Sequence, residues 1–408
     1  MKRRDVIKLG STLLGGACLA SLSGCVPNED TTTRESVNKY VTIVDNNLQI
    51  TPKQTAMYEY SCPMPFSKEG IDELYEFNKT LKKGKVTTLY SSIPSPAADT
   101  IHPYFTANAR GVNKDIKILN DYISYVRYAI KKDFKCVYAL NSTLPITEYE
   151  KSGLYPKIIE LFKNLNNVGI NDVKIANPAL LKLFSRKFPD MNLHLSTSSE
   201  YHSFQNYEYL LKEYPEIKSI NMTTDENKNF QLLYNLRKSF PKVKLELLVN
   251  EHGCLKFCIS RCYHPATTEY GFPCVEYIKK NQFLHFARNT LVFPWEWEYY
   301  SAIGINNFKF SGGPRHIIKN VKIVKEWAKL KETGVDSYLA NEFMNTRCLS
   351  RRHYLKFDDS LKLSDLIKQM PDINYFIKNG SRCLSSCGIN CRYCYEIAEN
   401  IKKIAIEV

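Results

Sequence analysis

Beyond residue 45 the sequence has no apolar run long enough to span a bilayer, so that part of the chain does not read as membrane-embedded. No candidate strand leads into a Gly-x-Gly-x-x-Gly turn, which removes the fingerprint of a dinucleotide-binding sheet. There is no Gly-x-Ser-x-Gly elbow and no His-Glu-x-x-His pair, so Ser–His–Asp catalysis and zinc-peptidase chemistry both lack their motifs. Acidic residues are in deficit, 42 Asp and Glu against 56 Lys and Arg, for a formal net charge of +14. The lysines are spread along the chain rather than gathered in one block. That favours anionic surfaces and partners in general, and nucleic acid is not expected as a dedicated partner.

Cysteine is plentiful. Of 13 cysteines in 408 residues, eight fall into two tight groups. The first is Cys254-x3-Cys258-x3-Cys262-x11-Cys274, directly after the apolar run "KLELLV". The second is Cys383-x3-Cys387-x3-Cys391-x2-Cys394, close to the C-terminus. Disulfide frameworks spread their cysteines to staple loops, whereas gaps of two or three residues suit metal or cluster ligation. The first group leans towards a [4Fe-4S] cluster, with zinc or plain thiols as alternatives, since zinc knuckles favour Cys-x2-Cys. The second group reads as a metal site, a second cluster or zinc. Its last three cysteines have the spacing of radical S-adenosylmethionine enzymes, but no strand precedes them, which counts against that assignment. One cluster or two, and which cysteines share a site, are left open by the spacing.

The N-terminus reads as an address. Arg3-Arg4 followed by a short apolar run resembles a twin-arginine export signal. The run ends "LASLSGC", which resembles a lipoprotein processing box with Cys25 as the lipidated residue. The expectation is an exported, membrane-anchored or periplasmic lipoprotein, with residues 1–25 as signal and the polar stretch 26–50 as tether.

The remainder alternates short β-rich runs with amphipathic helical stretches. Eight strands are expected: 57–61, 86–92, 134–140, 173–176, 192–196, 217–222, 244–249 and 306–311. Eight such units in this length predict an α/β fold, a closed (β/α)8 TIM-like barrel over 51–335, with 336–408 as a cysteine-rich C-terminal extension packed on it. His194, Ser196, Asn221, Glu246, Asn250, Lys309 and Ser311 lie in or near strands, and period-2 alternation allows only some of them to face the lumen. Gly312-Gly313 with Arg315, after the last strand, could hold a phosphate or carboxylate. The aromatic stretch 293–300 reads as a helix against the sheet.

The segments "NNVGINDVKIANPALLKLFSRKFPDMNLHLSTSSE", "KVKLELLVNEHGCLKFCISRC" and "IGINNFKFSGG" resemble the U32 peptidase family, which includes collagenase-like proteins and oxygen-independent hydroxylation proteins. The resemblance implies that cysteines after the equivalent strand ligate a [4Fe-4S] cluster, nominating Cys254, Cys262 and Cys274. Here Ser260-Arg261-Cys262 stands where the family has a "GRC"-like element, and Cys258 is extra, so the fourth ligand is Cys258 or a tail cysteine. The function expected from these features is redox modification, of the oxygen-independent hydroxylation type, of a small-molecule, peptide or glycan substrate, with an electron donor. Two alternatives stand beside it: a non-enzymatic electron-transfer or structural iron–sulfur lipoprotein, and a U32-type peptidase.

Overall fold

The computed structural model describes residues 39–45, 47–92, 119–140, 154–250, 277–278, 280–288, 290–311, 317–344 and 355–406. A hairpin of β1 (Val41–Val44) and β2 (Asn47–Ile50) comes first. Eight strands then close a parallel barrel: β3 (Tyr58–Pro63), β4 (Gly84–Ser91), β5 (Lys135–Leu140), β6 (Asp172–Ile175), β7 (Asn192–Leu195), β8 (Ile217–Asn221), β9 (Lys244–Leu248) and β10 (Asn307–Lys309). They follow chain order around the circle, and β10 closes on β3 through Phe308 opposite Tyr60. All eight expected strands are present, each within three residues of its expected bounds.

The connecting helices begin where side chains cap them. Ser67 accepts from the Gly70 amide at 3.0 Å ahead of the helix Lys68–Thr80. Asn177 accepts from the Ala179 amide at 2.9 Å, with Pro178 pre-set for the first turn of Pro178–Lys187. Ser203 and Asn229 do the same for Phe204–Glu213 and Phe230–Ser239. The stretch 293–300 forms a 3-10 turn running into the helix Trp297–Ala302, as its pattern suggests.

Strand alternation then sorts the side chains. Tyr60, Leu89, Tyr138, Val173, Leu193, Ile220, Leu247 and Phe308 point outward into one apolar shell between strands and helices. Aromatic rings dominate that shell: Trp297 lies stacked on Phe308 at 4.5 Å, and Phe162 meets Phe184 edge-on at 4.6 Å. The alternate positions face the lumen, and most of the residues there are polar.

The C-terminal segment packs on the barrel through short helices. The helix Ile373–Asn379 lies against β2 and the helix Phe230–Ser239, and the turn at Gly380 comes so close to Lys228 that a Cβ there would stand 2.0 Å from the Lys228 carbonyl oxygen. The final helix, Tyr393–Ile404, packs on Gln282–Ala287, and a small antiparallel pair, β11 (Lys356–Phe357) with β12 (Ala405–Ile406), ties off the end.

The four tail cysteines are half-buried and form no disulfide among the described residues. Cys387 and Cys391 are bridge partners, and the Cys391 sulfur lies 3.0 Å from the Tyr375 hydroxyl. Tyr375 is stacked on Tyr393 at 3.6 Å, and the Arg288 guanidinium covers Tyr395 at 4.6 Å. Aromatic stacking and a cation–π contact thus help to hold the tail. Among the described residues no group of three or more His, Cys, Asp or Glu side chains could hold a metal ion, Cys383, Cys387, Cys391 and Cys394 included. On that donor arrangement the expected metal site in the tail is corrected. The expected [4Fe-4S] cofactor, one cluster or two, the redox function and the electron donor built on it are not borne out. Cys254, Cys258, Cys262 and Cys274 lie outside the described residues.

The membrane expectation is corrected as well. Among the described residues no helix is long and apolar enough to cross a membrane, which gives a membrane-anchored localisation and a membrane partner no structural support. Residues 1–25, with Cys25, lie outside the described residues.

Candidate active site

Position along each strand decides which polar side chains meet in the lumen. At the centre stands Glu246 of β9. Lys174 of β6 donates to one carboxylate oxygen at 2.5 Å, and the Ser61 hydroxyl of β3 donates to the other. Burial alone would raise this carboxyl, but the charges of Lys174 and Lys309 overcome it and bring Glu246 down to about 2. It is ionised around neutral pH. Lys309 of β10 is buried beyond it, 3.4 Å from the Asn221 side-chain oxygen and 4.0 Å above the Tyr90 ring.

Nearer the N-terminal mouth, three neighbouring strands align a second group. His194 of β7 places Nδ1 2.7 Å from the Ser219 hydroxyl of β8 and Nε2 2.7 Å from the Asp172 carboxylate of β6. The Lys135 ammonium of β5 meets the same Asp172 oxygen at 2.6 Å. All three members of the row are over nine-tenths buried. Burial lowers the His194 pKa, and Asp172 only partly offsets it, so the imidazole is neutral around pH 7. Asp172 is itself shifted down: burial opposes ionisation, but the hydrogen bonds and charges of His194 and Lys135 outweigh it. An ionised Asp172 fixes the proton on Nε2. Nδ1 is then the acceptor for the serine proton.

This row borders a cavity of about 350 Å³ at the N-terminal mouth, where His194, Ser219, Lys174 and Glu246 form the floor. Lys135, Lys218, Lys242 and Lys244 stand around the opening with Glu59, Thr87, Thr88 and Asn307. Catalytic groups of β/α barrels ordinarily gather at the C-terminal mouth. Here the segments that follow β4, β5 and β9 at that end lie outside the described residues.

The residues singled out by sequence divide accordingly. His194, Glu246, Asn221 and Lys309 do face the lumen. Ser196 serves as the cap of a short turn, accepting from the Ser198 amide at 3.2 Å. Asn250 bonds both ways to the Ser311 backbone, at 2.6 and 3.1 Å, and so clips the ends of β9 and β10 together. Gly312, Gly313 and Arg315 lie outside the described residues. Sequence reasoning missed Asp172, Lys174 and Ser219. A signal existed: "DVKI" puts two charged residues on one face of a strand otherwise buried on the opposite face. No serine elbow announces the row, because its three members come from three separate strands.

Residues 97–269 match the family model described as Peptidase family U32, a stretch that includes β5 to β9 together with Cys254, Cys258 and Cys262. Among solved structures, a U32 peptidase is similar at 13% identity, covering 65% of this chain and 96% of its own, with a TM-score of 0.43. Tryptophan synthase from M. tuberculosis in its aminoacrylate-bound form is similar at 9% identity, covering 68% and 92%, with a TM-score of 0.33. A dihydrodipicolinate synthase from Bacteroides thetaiotaomicron is similar at 10% identity, covering 85% and 99%, with a TM-score of 0.34. These three likenesses are shallow, and nothing about activity follows from them. No curated protein matches the chain. Over residues 97–269, less than half of its length, the chain is thus similar to the U32 peptidase family.

Proposed function

We propose that the protein is a peptidase-type hydrolase in which Ser219 is the nucleophile, His194 the general base and acid, and Asp172 the group that orients it. The observation that carries this reading is the continuous Asp172–His194–Ser219 hydrogen-bonded row opening on a cavity. Such a row is recognised by geometry and roles rather than by sequence order. The match of residues 97–269 to the U32 peptidase family supports the reaction class.

In this mechanism the Ser219 oxygen attacks the carbonyl carbon of a peptide bond while Nδ1 of His194 takes the hydroxyl proton. Asp172 remains ionised and holds Nε2–H, stabilising the imidazolium that forms. The lysines lining the cavity provide the positive potential in which the carbonyl oxygen acquires its charge. His194 then returns the proton to the leaving amine nitrogen as the carbon–nitrogen bond breaks. Water attacks the resulting ester with His194 again as base, and the carboxylic acid leaves with Ser219 restored.

The test is turnover of a synthetic peptide mixture, read by mass spectrometry, alongside labelling by an uncharged phosphonate probe for activated serines. Labelling at Ser219 is expected, absent in His194→Asn. Ser219→Ala should retain the wild-type melting temperature and lose at least about a thousandfold in kcat. Undiminished hydrolysis by folded Ser219→Ala would make the row a structural network.

A further inference from the structure

The lining of the N-terminal mouth is unbalanced in charge. Five lysines, Lys135, Lys174, Lys218, Lys242 and Lys244, face the cavity against two lining carboxylates, Glu59 and Glu246. Each carboxylate is already engaged within the site, Glu246 by Lys174 at 2.5 Å and Glu59 by Lys244 at 3.0 Å. Asp172, behind His194, is engaged by Lys135. The lining itself is therefore positive, five lysines against two carboxylates, and most of those lysines stand towards the rim. Low-dielectric walls, here Val137 with the aliphatic stems of the lysines, focus such a field into the opening.

We infer that the mouth selects peptides bearing a free carboxylate close to the scissile bond. The inference rests on the hydrolase reading of the same site. A carboxylate entering the cavity exchanges its water for the rim lysines, and the neighbouring carbonyl carbon is then held over Ser219, deeper in the same cavity. The lysines are flexible and partly hydrated, so the recognition is one of charge and reach rather than of a fixed bidentate fit. Two sources present this chemistry, a C-terminal carboxylate and an Asp or Glu side chain. Neutral or lysine-rich peptides gain nothing from the rim and are repelled respectively.

Binding is measured by calorimetry on Ser219→Ala protein, so that affinity is read without turnover. Four peptides of one sequence are compared: C-terminal acid against amide, and Asp against Asn at the penultimate position. A roughly tenfold tighter binding of the carboxylate forms is expected at low ionic strength. It should shrink as salt rises to about 0.5 M, because the screening length falls below the width of the opening. In Lys218→Glu/Lys242→Glu the preference should vanish or reverse. If the C-terminal acid alone is preferred, the site reads chain ends; if the Asp peptide alone is preferred, it reads side chains, and either supports the inference. Equal affinity for all four peptides overturns it, as does a preference unchanged in the double variant. The hydrolase reading is judged separately, by phosphonate labelling of wild-type Ser219. Labelling without carboxylate preference removes only the substrate class, and carboxylate preference without labelling removes only the chemistry.

Discussion

Replacing Glu246 by Gln removes the one carboxylate that Lys174 and Lys309 share in the lumen, and the consequence should depend on pH in a definite way. Glu246 is largely buried, with its side chain 13% exposed, so its ionisation is weakly screened. Its folded pKa is about 2 against a reference value of 4.5. A carboxylate lowered on folding contributes stability that is fully present above the unfolded pKa and is lost as pH falls towards the folded one. A difference of this size corresponds to about 3 kcal/mol at pH 7, of which about 2 kcal/mol is gone by pH 3. Breaking the pair also leaves a buried ammonium with no counter-charge, and the total cost at neutral pH should be about 3–5 kcal/mol. Equilibrium unfolding in urea, followed by far-ultraviolet circular dichroism at several pH values from 7 to 3, measures both quantities. The gap between wild type and Glu246→Gln should narrow by about 2 kcal/mol over that range. Parallel stability profiles would show that Glu246 titrates normally. The central ion pair would then not hold the geometry described.

The acid limb of hydrolysis should lie below pH 6.5, because burial pushes the His194 pKa down. By the same shift, stability should also decline below that pH, as the unfolded histidine takes up protons that the folded one refuses; a pH–rate limb at or above 6.5 would contradict this. Gly380→Ala should cost about 1–3 kcal/mol and speed proteolysis of the last tail helices, since the new methyl group would meet the Lys228 carbonyl oxygen at 2.0 Å. An unchanged melting temperature would mean that the tail shifts freely. Lys228→Met strands the buried Glu296 carboxylate, which Lys228 otherwise meets at 2.5 Å. Burial already raises Glu296 despite that partner, so protonation relieves the variant, and its deficit in urea unfolding should shrink as pH falls below neutral. A deficit constant with pH would refute that coupling.

The barrel was legible because each strand carries its own signal. "FKCVYAL" and "KLELLV" are short, rich in apolar residues, and separated by helices whose caps, Asn177-Pro178 above all, are local in sequence. The site was less so, because it is made by register. His194 faces Ser219 through a shift in the β7–β8 pairing between Leu193 and His194, and no pattern within either strand encodes that shift. The tail cysteines mislead in the opposite direction. Their spacing predicts ligation, yet the Cys391 thiol is turned towards Tyr375, which is stacked on Tyr393. Cysteine spacing reports which thiols can meet. It does not report which neighbours compete for them.

A β/α barrel needs no charges in its lumen. Layers of Val, Ile and Leu fill comparable interiors and stabilise them by burial alone. This chain instead encloses Lys174, Glu246, Lys309, His194 and Asp172, each with desolvation to offset, and buried ion pairs commonly stabilise less than apolar residues of the same volume. The outer shell compensates: Trp297, Trp327, Tyr58, Tyr60 and Phe162 are almost wholly buried there. Stability is thus supplied by the surface between strands and helices, while the lumen carries ionised and hydrogen-bonded groups at a net cost. The polarity is also graded. Ala139 and Leu248 lie towards the C-terminal ends of their strands, with Lys309 and Asn221 as the polar groups at that end, while Lys135, Asp172, His194 and Ser219 lie towards the N-terminal mouth and its cavity. A lumen polar only for want of packing would have no reason to place its charges on the side where a cavity admits a solute. That asymmetry sets most of the charged lumen groups beside the cavity, where the proposed hydrolysis would need them.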